Sequence, residues 1–282
     1  MAAEAGRAFW KMSGSGNDFI FFDSRGRGLS ADPLETPAEI ASLCRSHLGV
    51  GADGIVFIVD APGVAFGIRY YNADGSRATL CGNASLCAAQ SAVMLGLAIR
   101  EQMFHFMSDA GSIAASVDGG GAASVRLAAV MSLETAATEV CRAGELRIGF
   151  AVVGVPHLVV LVADLSAVEV AQRGRDLRYG ADRAPAGANV NFVTPGSGSN
   201  EWRIRTYERG VEAETYACGT GAVAAAACLA SWRMATGDTG IRLRTASDRV
   251  LTVRLPEGTD GGWSELSGEG RIVFHGVLHE YR

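Results

Sequence analysis

The feature that most constrains the fold of this chain is a pattern that the chain contains twice. In each copy a predicted strand leads into a polar turn, a Cys-Gly pair and a helix of mostly small residues. The first copy contains Asn72 and Cys81, and the second contains Glu208 and Cys218. Since close to half of the 282 residues separate the two cysteines, the pattern predicts an internal duplication.

The predicted secondary structure is rich in strands, and these strands do not alternate regularly with helices. This arrangement favours an α+β fold over a doubly wound parallel sheet. We expect two pseudo-symmetric domains, at residues 1–131 and 132–271, each carrying one copy of the repeated pattern. The helices that follow the two Cys-Gly pairs are predicted to end near Leu97 and Met234.

Local signals predict further elements between these segments. A helix is expected over 37–46, with Thr36 as its N-cap. The glycines at 119–121 are typical of a hairpin tip, and the segment 195–200 is typical of a loop between two strands.

The composition is that of a globular protein, with 48% hydrophobic and 20% charged residues. The net charge of −5 provides no basic field for nucleic acid or an anionic membrane. The first residues lack the apolar region of a signal peptide, and Gly154 and Pro156 interrupt the most apolar run, 149–163. We therefore expect a cytoplasmic protein without nucleic-acid or membrane partners.

The six cysteines lack the CxxC spacing of a structural zinc site. We expect reduced thiols and no bound metal. Four of the thiols are interpreted as buried structural residues, because free cysteine is among the most buried residue types. These four are Cys44, Cys87, Cys141 and Cys228. Cys81 and Cys218 differ from them by their equivalent positions beside small residues and polar turns.

A cysteine just before a helix is suited to acid–base chemistry. The first backbone N–H groups of a helix lack intrahelical partners and favour a nearby anion, which lowers the pKa of a thiol placed there. A following glycine lets a ligand approach these N–H groups, which also bind carboxylates. One thiolate and one thiol on opposite faces of a carbon could invert a stereocentre by removing and returning a proton.

Several separate motifs in this chain resemble those of the diaminopimelate epimerase family, and they occur in the same order. The resemblance covers nearly the whole chain. The motifs are KMSGSGNDF at 11–19, GVGADG at 49–54, NADGS at 72–76, CGN at 81–83, GVPH at 154–157, NVNF at 189–192, ERG at 208–210 and ACGTG at 217–221.

The resemblance implies a cofactor-independent isomerase that converts LL-diaminopimelate to meso-diaminopimelate, a precursor of lysine and peptidoglycan. It implies two similar domains, each a β-rich mixed sheet curled around a central helix, with a C-terminal strand at about 272–282 returning to the first domain. It further implies a homodimer, and a small molecule, diaminopimelate, as the substrate.

The resemblance also implies roles for individual residues. Cys81 and Cys218 are expected to be the paired acid and base. Gly82, Asn83, Gly219 and Thr220 are expected to hold the α-carboxylate at the reacting carbon, and Asn17 to line the same pocket. The residues expected to recognise the distal amino-acid end are Asn72, Asn191, Glu208 and Arg209.

Two further polar residues receive supporting roles in this interpretation. His157 is expected to have a structural or orienting role rather than to act as a base. Asp53 is expected to fix a turn through its side chain.

The chain departs from the family pattern in two places. Val155 replaces an asparagine that contacts the distal carboxylate in many members of the family. The segment 84–86 is Ala-Ser-Leu where Gly-Ala-Arg is usual. Neither change affects the reaction class, but the first removes a polar contact from the distal pocket.

Three alternatives to a diaminopimelate epimerase are open at this point. A racemase of another amino acid, of a histidine or proline type, would have no use for all four distal residues. An inactive binding module would have no need for both cysteines. A thiol-redox protein would need the two sulfurs to cycle through a disulfide.

Overall fold

The computed structural model describes residues 6–27, 32–180, 185–237, 239–256 and 262–279. The described residues of 1–125 and 269–282 form one compact unit (unit 1), and those of 126–268 form a second (unit 2). Strands outnumber helices and do not alternate regularly with them, which confirms the predicted α+β class. In the part of the chain described, no helix has the length and apolarity needed to cross a membrane.

Unit 1 contains eight consecutive strands and two helices, and the chain passes into unit 2 within the eighth strand. The elements are β1 (Arg7–Gly14), β2 (Asn17–Asp23), α1 (Pro37–Cys44), β3 (Gly54–Val59), β4 (Phe66–Asn72), β5 (Arg77–Ala78), α2 (Gly82–Met94), β6 (Phe104–Ser108), β7 (Gly111–Val117) and β8 (Ala123–Leu127).

Unit 2 repeats this order after one short additional strand, and a last strand then belongs to unit 1. The elements are β9 (Ser132–Glu134), β10 (Glu145–Val153), β11 (Val155–Val162), a 3-10 turn (Leu165–Ala167), α3 (Val170–Arg178), β12 (Asn189–Pro195), β13 (Glu201–Glu208), β14 (Ala213–Thr215), α4 (Gly219–Ser231), β15 (Ile241–Arg244), β16 (Val250–Arg254), β17 (Ser264–Gly268) and β18 (Arg271–Leu278). β18 pairs antiparallel with β1.

The strand pairing within each unit follows the same scheme. In unit 1, β1 and β2 are antiparallel, β2 and β3 are parallel across α1, and β4 is antiparallel to β3 and parallel to β6. In unit 2, β10, β11, β12, β13 and β15 repeat these relationships, with α3 as the crossover. Phe19, opposite Gly54 in the first parallel pair, is therefore equivalent to His157, opposite Asn189 in the second.

The helices that follow the two Cys-Gly pairs lie in the interior of their units. α2 packs against β1, β4 and β7, and α4 packs against β10, β11, β12 and β16. Ten residues of each 13-residue helix are buried. Small residues allow close approach: a Cβ atom at Gly14 would lie 3.1 Å from the Cys87 sulfur, and one at Gly149 would lie 3.0 Å from the Cys228 sulfur.

Both of these helices end about three residues earlier than predicted. α2 ends at Met94, because Gly96 adopts a left-handed conformation (φ +70°) and the Leu97 N–H donates to the Ala92 carbonyl. α4 ends at Ser231 in the same way, with Arg233 at φ +58°. Such a reversal satisfies the last carbonyls of a helix and stops its growth.

The other local predictions agree closely with the structure. The Thr36 hydroxyl accepts a hydrogen bond from the Glu39 N–H at 3.3 Å, so Thr36 is the predicted N-cap, although α1 ends at Cys44 rather than at residue 46. The segment 119–121 connects β7 to β8, and the segment after Pro195 connects β12 to β13.

Candidate active site

Cys81 lies immediately before α2, in the N-cap position. Its backbone is extended (φ −133°, ψ 119°) and the residue is half-buried. A tight turn lies between β4 and β5, in which the Asn72 N–H donates to the Ser76 carbonyl at 2.9 Å and the Ser76 N–H donates to Asp74 Oδ1 at 2.8 Å. Gly75 adopts φ +86° in this turn. The turn reverses the chain between β4 and the strand that leads to the cysteine.

Cys218 occupies the equivalent position before α4. Its backbone angles (φ −130°, ψ 113°) nearly match those of Cys81. The residue is 8% exposed. Each unit therefore presents one thiol at the positive end of its central helix, as the duplicated pattern predicts.

The remaining four cysteines have different environments. Burial raises the pKa of Cys44 and of Cys228 to about 12, and it raises that of Cys87 well above the ordinary value. These three thiols stay protonated and pack in the interior, as predicted. Cys141 is exposed instead, which corrects the prediction that it is buried, because it lies in the irregular segment between β9 and β10.

In unit 1, polar side chains connect three distant parts of the sequence. The Asn83 amide donates to Asn17 Oδ1 at 3.0 Å, and the Asn17 amide donates to Asp53 Oδ2 at 3.0 Å. Asn83 is the second residue of α2 and is 2% exposed. The structure thus brings predicted pocket residue Asn17 into contact with the first turn of α2, which Cys81 precedes.

In unit 2, a buried histidine lies behind the helix start, at the strand position that Phe19 occupies in unit 1. His157 Nε2 lies 3.1 Å from Thr220 Oγ1, and Thr220 Oγ1 lies 3.6 Å from the Cys218 sulfur. On the other side of the ring, Asn191 Nδ2 lies 3.3 Å from His157 Nδ1. These contacts form a continuous path from Asn191 to the thiol.

The direction of the hydrogen bonds along this path follows from the chemistry of the groups. Burial, followed by the nearby charge of Arg209, lowers the pKa of His157 to about 3, so the ring is neutral. The Asn191 amide N–H can only donate, which makes Nδ1 the acceptor and leaves the ring proton on Nε2. His157 then donates to the Thr220 hydroxyl, which can donate its own proton to the Cys218 sulfur.

Asn191 is enclosed by the protein rather than presented to a ligand. Its side chain has no exposed surface, its amide also donates to the Leu158 carbonyl at 3.1 Å, and its Oδ1 accepts from the Thr206 hydroxyl at 3.0 Å. The residue that sequence reasoning passed over is Asn189, whose Oδ1 accepts from the Arg209 backbone N–H at 2.7 Å. Its place in the NVNF motif was the available signal.

Two of the predicted distal residues lie at the end of β13, where Glu208 is the last strand residue and Arg209 follows it. Glu208 Oε2 accepts from the Thr215 hydroxyl at 2.9 Å. Arg209 is half-buried, and among the described residues no carboxylate forms an ion pair with its guanidinium. Gly210 follows at φ +92°. A half-buried guanidinium beside a carboxylate-bearing residue is suited to bind the carboxylate and ammonium of an amino acid.

The two departures from the family pattern have different surroundings. Ala84, Ser85 and Leu86 are all fully buried, and the Leu86 carbonyl lies 2.6 Å from where a Cβ atom at Gly270 would be. These residues therefore contribute to the interior of unit 1. Val155 is the first residue of β11 and is half-buried, at the position equivalent to Asn17 in β2.

Comparisons with known proteins agree with this description. A family model described as diaminopimelate epimerase matches residues 9–132 and 149–259. A diaminopimelate epimerase of Gemmatimonas aurantiaca is 42% identical over 279 residues, covering 96% of this chain and 99% of the relative. A diaminopimelate epimerase of Aquifex aeolicus is 38% identical over 280 residues, covering 96% and 98%.

Solved structures share the fold at low sequence identity. A phenazine biosynthesis protein of the PhzF family from Bacillus anthracis superposes with a TM-score of 0.73 at 13% identity, covering 96% of this chain and 98% of that one. A hydroxyproline epimerase from Agrobacterium vitis superposes with a TM-score of 0.69 at 14% identity, covering 100% and 95%.

Proposed function

Because the chain belongs to the diaminopimelate epimerase family, we propose that it interconverts LL- and meso-diaminopimelate with Cys81 and Cys218 as the paired acid and base. The observation that carries this proposal is that each unit places one cysteine at the N-cap of its central helix with nearly the same backbone geometry. As an isomerase of this kind, the chain would serve the synthesis of lysine and of peptidoglycan precursors.

The proposed reaction is a proton exchange at one α-carbon. The thiolate of one cysteine removes the α-proton and becomes a thiol, and the thiol of the other cysteine gives its proton to the opposite face and becomes a thiolate. No electrons are gained or lost, and no cofactor takes part. The N–H groups around Gly82, Asn83, Gly219 and Thr220 would bind the α-carboxylate and stabilise the carbanion charge.

The hydrogen-bond path in unit 2 supports a thiolate at Cys218. A neutral His157 donates to Thr220, and Thr220 can donate to the sulfur. A hydrogen bond to the charged form of a group lowers its pKa. His157 and Asn191 would therefore be positioning residues that act through Thr220, and neither would exchange a proton with substrate.

The distal end of diaminopimelate is an amino acid with a carboxylate and an ammonium group. Arg209 would bind this carboxylate. Asn72 of unit 1 and Asn189 of unit 2 would provide amide ligands for the same end of the substrate. Glu208 would bind the ammonium group. Val155 supplies an apolar surface where many relatives have an asparagine, so the distal carboxylate would depend more strongly on Arg209.

We further propose a homodimer in a reducing cytoplasm. Three apolar side chains of β18, Val273, Phe274 and Val277, are 46–47% exposed, and burial of these side chains against a second copy would remove them from water. None of the six cysteines forms a disulfide. Size-exclusion chromatography with light scattering measures the molar mass in solution and so tests the dimer. A Phe274→Glu variant would elute as a monomer.

The direct test of the reaction is incubation with LL-diaminopimelate in heavy water without pyridoxal phosphate. Deuterium at one α-carbon of the meso product is the expected result. Exchange into proline, hydroxyproline or histidine, with none into diaminopimelate, would favour the alternative of a different racemase on the same fold. Cys81→Ala and Cys218→Ala should each abolish epimerisation in a folded protein, whereas near wild-type turnover by either variant would exclude the paired-thiol mechanism.

A further inference from the structure

Asp53 lies directly before β3, and one of its carboxylate oxygens accepts two hydrogen bonds from the β2 segment. Oδ2 accepts from the Asp18 backbone N–H at 3.1 Å and from the Asn17 side-chain amide at 3.0 Å. The second of these bonds is not needed to hold the turn, because backbone atoms hold it independently. The Asp53 N–H donates to the Asp18 carbonyl at 2.9 Å, and the Asp53 carbonyl accepts from the Ala73 N–H at 3.0 Å.

The carboxylate of Asp53 determines which way the Asn17 amide faces. An ionised carboxylate only accepts hydrogen bonds, so the NH₂ end of Asn17 must point at Asp53. The oxygen of Asn17 is then the end that faces Asn83, where it accepts from Nδ2 at 3.0 Å. The orientation of the Asn83 amide is fixed by the same logic. One acidic group therefore sets the orientation of two successive amides.

The end of this chain of hydrogen bonds is the first turn of α2. Asn83 is 2% exposed and lies two residues after Cys81, within the turn whose N–H groups face an incoming anion. The hydrogen bonds from Asp53 to Asn17 and from Asn17 to Asn83 therefore hold this turn in position relative to β2. These residues are too far apart in sequence for a local pattern to predict their contact.

Unit 2 supports its helix start with different residues at different strand positions. Thr220 also lies two residues after its cysteine, and it is contacted by His157 from the second strand of the unit, which in turn is contacted by Asn191. A polar side chain from the second strand thus contacts the same helix position in both units.

We propose that Asp53 is a positioning residue for the Cys81 half of the reaction, acting through Asn17 on Asn83. This inference rests on the proposed function for its effect on catalysis, but its structural part does not. It goes beyond the turn-fixing role expected from sequence. The backbone of Asp53 holds the turn, and its carboxylate orients Asn17 and Asn83.

The first experiment needs no substrate. In a ¹⁵N-labelled protein, Asp53→Ala should shift the side-chain amide signal of Asn83, which does not touch Asp53. The shift should be absent when Asp53→Ala is made in an Asn17→Ala background. Asp60→Ala is the matched control, because Asp60 also accepts from a backbone N–H of unit 1, that of Gly26 at 2.7 Å. An Asn83 signal that does not respond to Asp53→Ala would overturn the proposal.

The second experiment measures steady-state epimerisation. Asp53→Ala should lower kcat roughly 10- to 100-fold with KM changed less than about threefold, as expected when the reacting groups are slightly misplaced. Asp53→Asn should keep kcat within about threefold, because one amide oxygen can accept both hydrogen bonds. In the Asn17→Ala background, Asp53→Ala should add little, since coupled residues are non-additive.

The outcomes separate the positioning role of Asp53 from the proposed function. The positioning role would be contradicted if Asp53→Ala lowered kcat equally in the wild-type and Asn17→Ala backgrounds. It would also be contradicted if Asp53→Asn lowered kcat as much as Asp53→Ala. A wild-type protein that fails to epimerise diaminopimelate would contradict the proposed function, while the magnetic resonance measurement would still decide the role of Asp53.

Discussion

The imidazole Nε2 of His157 lies 3.1 Å from the hydroxyl oxygen of Thr220. Since Nε2 carries the ring proton, this contact occupies a lone pair of the hydroxyl and leaves its hydrogen for the Cys218 sulfur 3.6 Å away. In the proposed reaction, the strength of Cys218 as a base would thereby depend on a histidine that need not change its own charge.

Replacing Thr220 with valine should weaken Cys218 as a proton acceptor. Valine keeps the shape of the side chain but cannot donate to the thiolate, and loss of a hydrogen bond to a charged group costs about 1.5–3 kcal/mol. We expect the pKa of Cys218 to rise, so the acidic limb of the kcat/KM profile moves about one to two pH units upward. Thr220→Ser is the control and should keep the wild-type profile; an unchanged profile in Thr220→Val would contradict the path.

Buried His157 should make the protein sensitive to acid. Burial lowers its pKa from 6.5 to about 3 in the folded protein, so below the unfolded pKa the unfolded chain binds a proton that the folded chain does not. Stability from this group is complete above about pH 6.5 and is lost as the pH falls towards 3, by about 2 kcal/mol between pH 7 and pH 5.

This acid sensitivity can be measured by urea unfolding at several pH values. In a His157→Gln variant the part of the slope between pH 5 and pH 7 that this ring contributes should disappear. A variant that keeps the full wild-type slope would show that another group is responsible.

Gly221→Ala should destabilise the protein although it replaces a helical glycine. Such a change ordinarily stabilises a helix by up to about 1 kcal/mol. Here the new Cβ atom would collide with Asn191 Oδ1 and displace the residue that contacts His157. We expect a loss of about 1–3 kcal/mol in the free energy of unfolding, measured in urea. Gly120→Ala is the control, because its Cβ atom would make an ordinary van der Waals contact with Asp118 Oδ1 at 3.4 Å.

Iodoacetamide near neutral pH should distinguish the two helix-start cysteines from the three whose pKa burial raises. Cys44, Cys87 and Cys228 should remain unmodified, because burial raises the pKa of each. Cys81 and Cys218 should react and should be protected by diaminopimelate, as peptide mass spectrometry can measure. Cys141→Ser is the control and should retain full activity. Failure of substrate to protect either of the two cysteines would argue against its place in the site.

The main features of the fold could be predicted because they leave local signals. Strand composition, turn glycines and the two Cys-Gly segments indicated the α+β class and the duplication. The helix ends at Met94 and Ser231 were harder to predict from the sequence. After Ser231, Arg233 adopts a left-handed conformation although it is neither glycine nor asparagine. The exposed position of Cys141 was missed because the prediction relied on the general burial of free cysteine, which takes no account of the irregular segment in which Cys141 lies.

The candidate site was predictable only where a motif names the residues. The supports behind the two helix starts join residues 34 to 66 positions apart in sequence, so no periodicity reveals them. Asn189 and Asn191 lie two residues apart in one strand, and only their three-dimensional contacts distinguish a residue beside Arg209 from one enclosed behind His157.

The strands of the two halves repeat, yet equivalent positions in them hold Phe19 and His157. A protein assembled from two copies of the first half would keep both central helices while losing the imidazole. One assembled from two copies of the second half would lose the acid before β3. Each half therefore contains a polar group that the other half lacks, and the duplicated chain needs both halves to keep both groups.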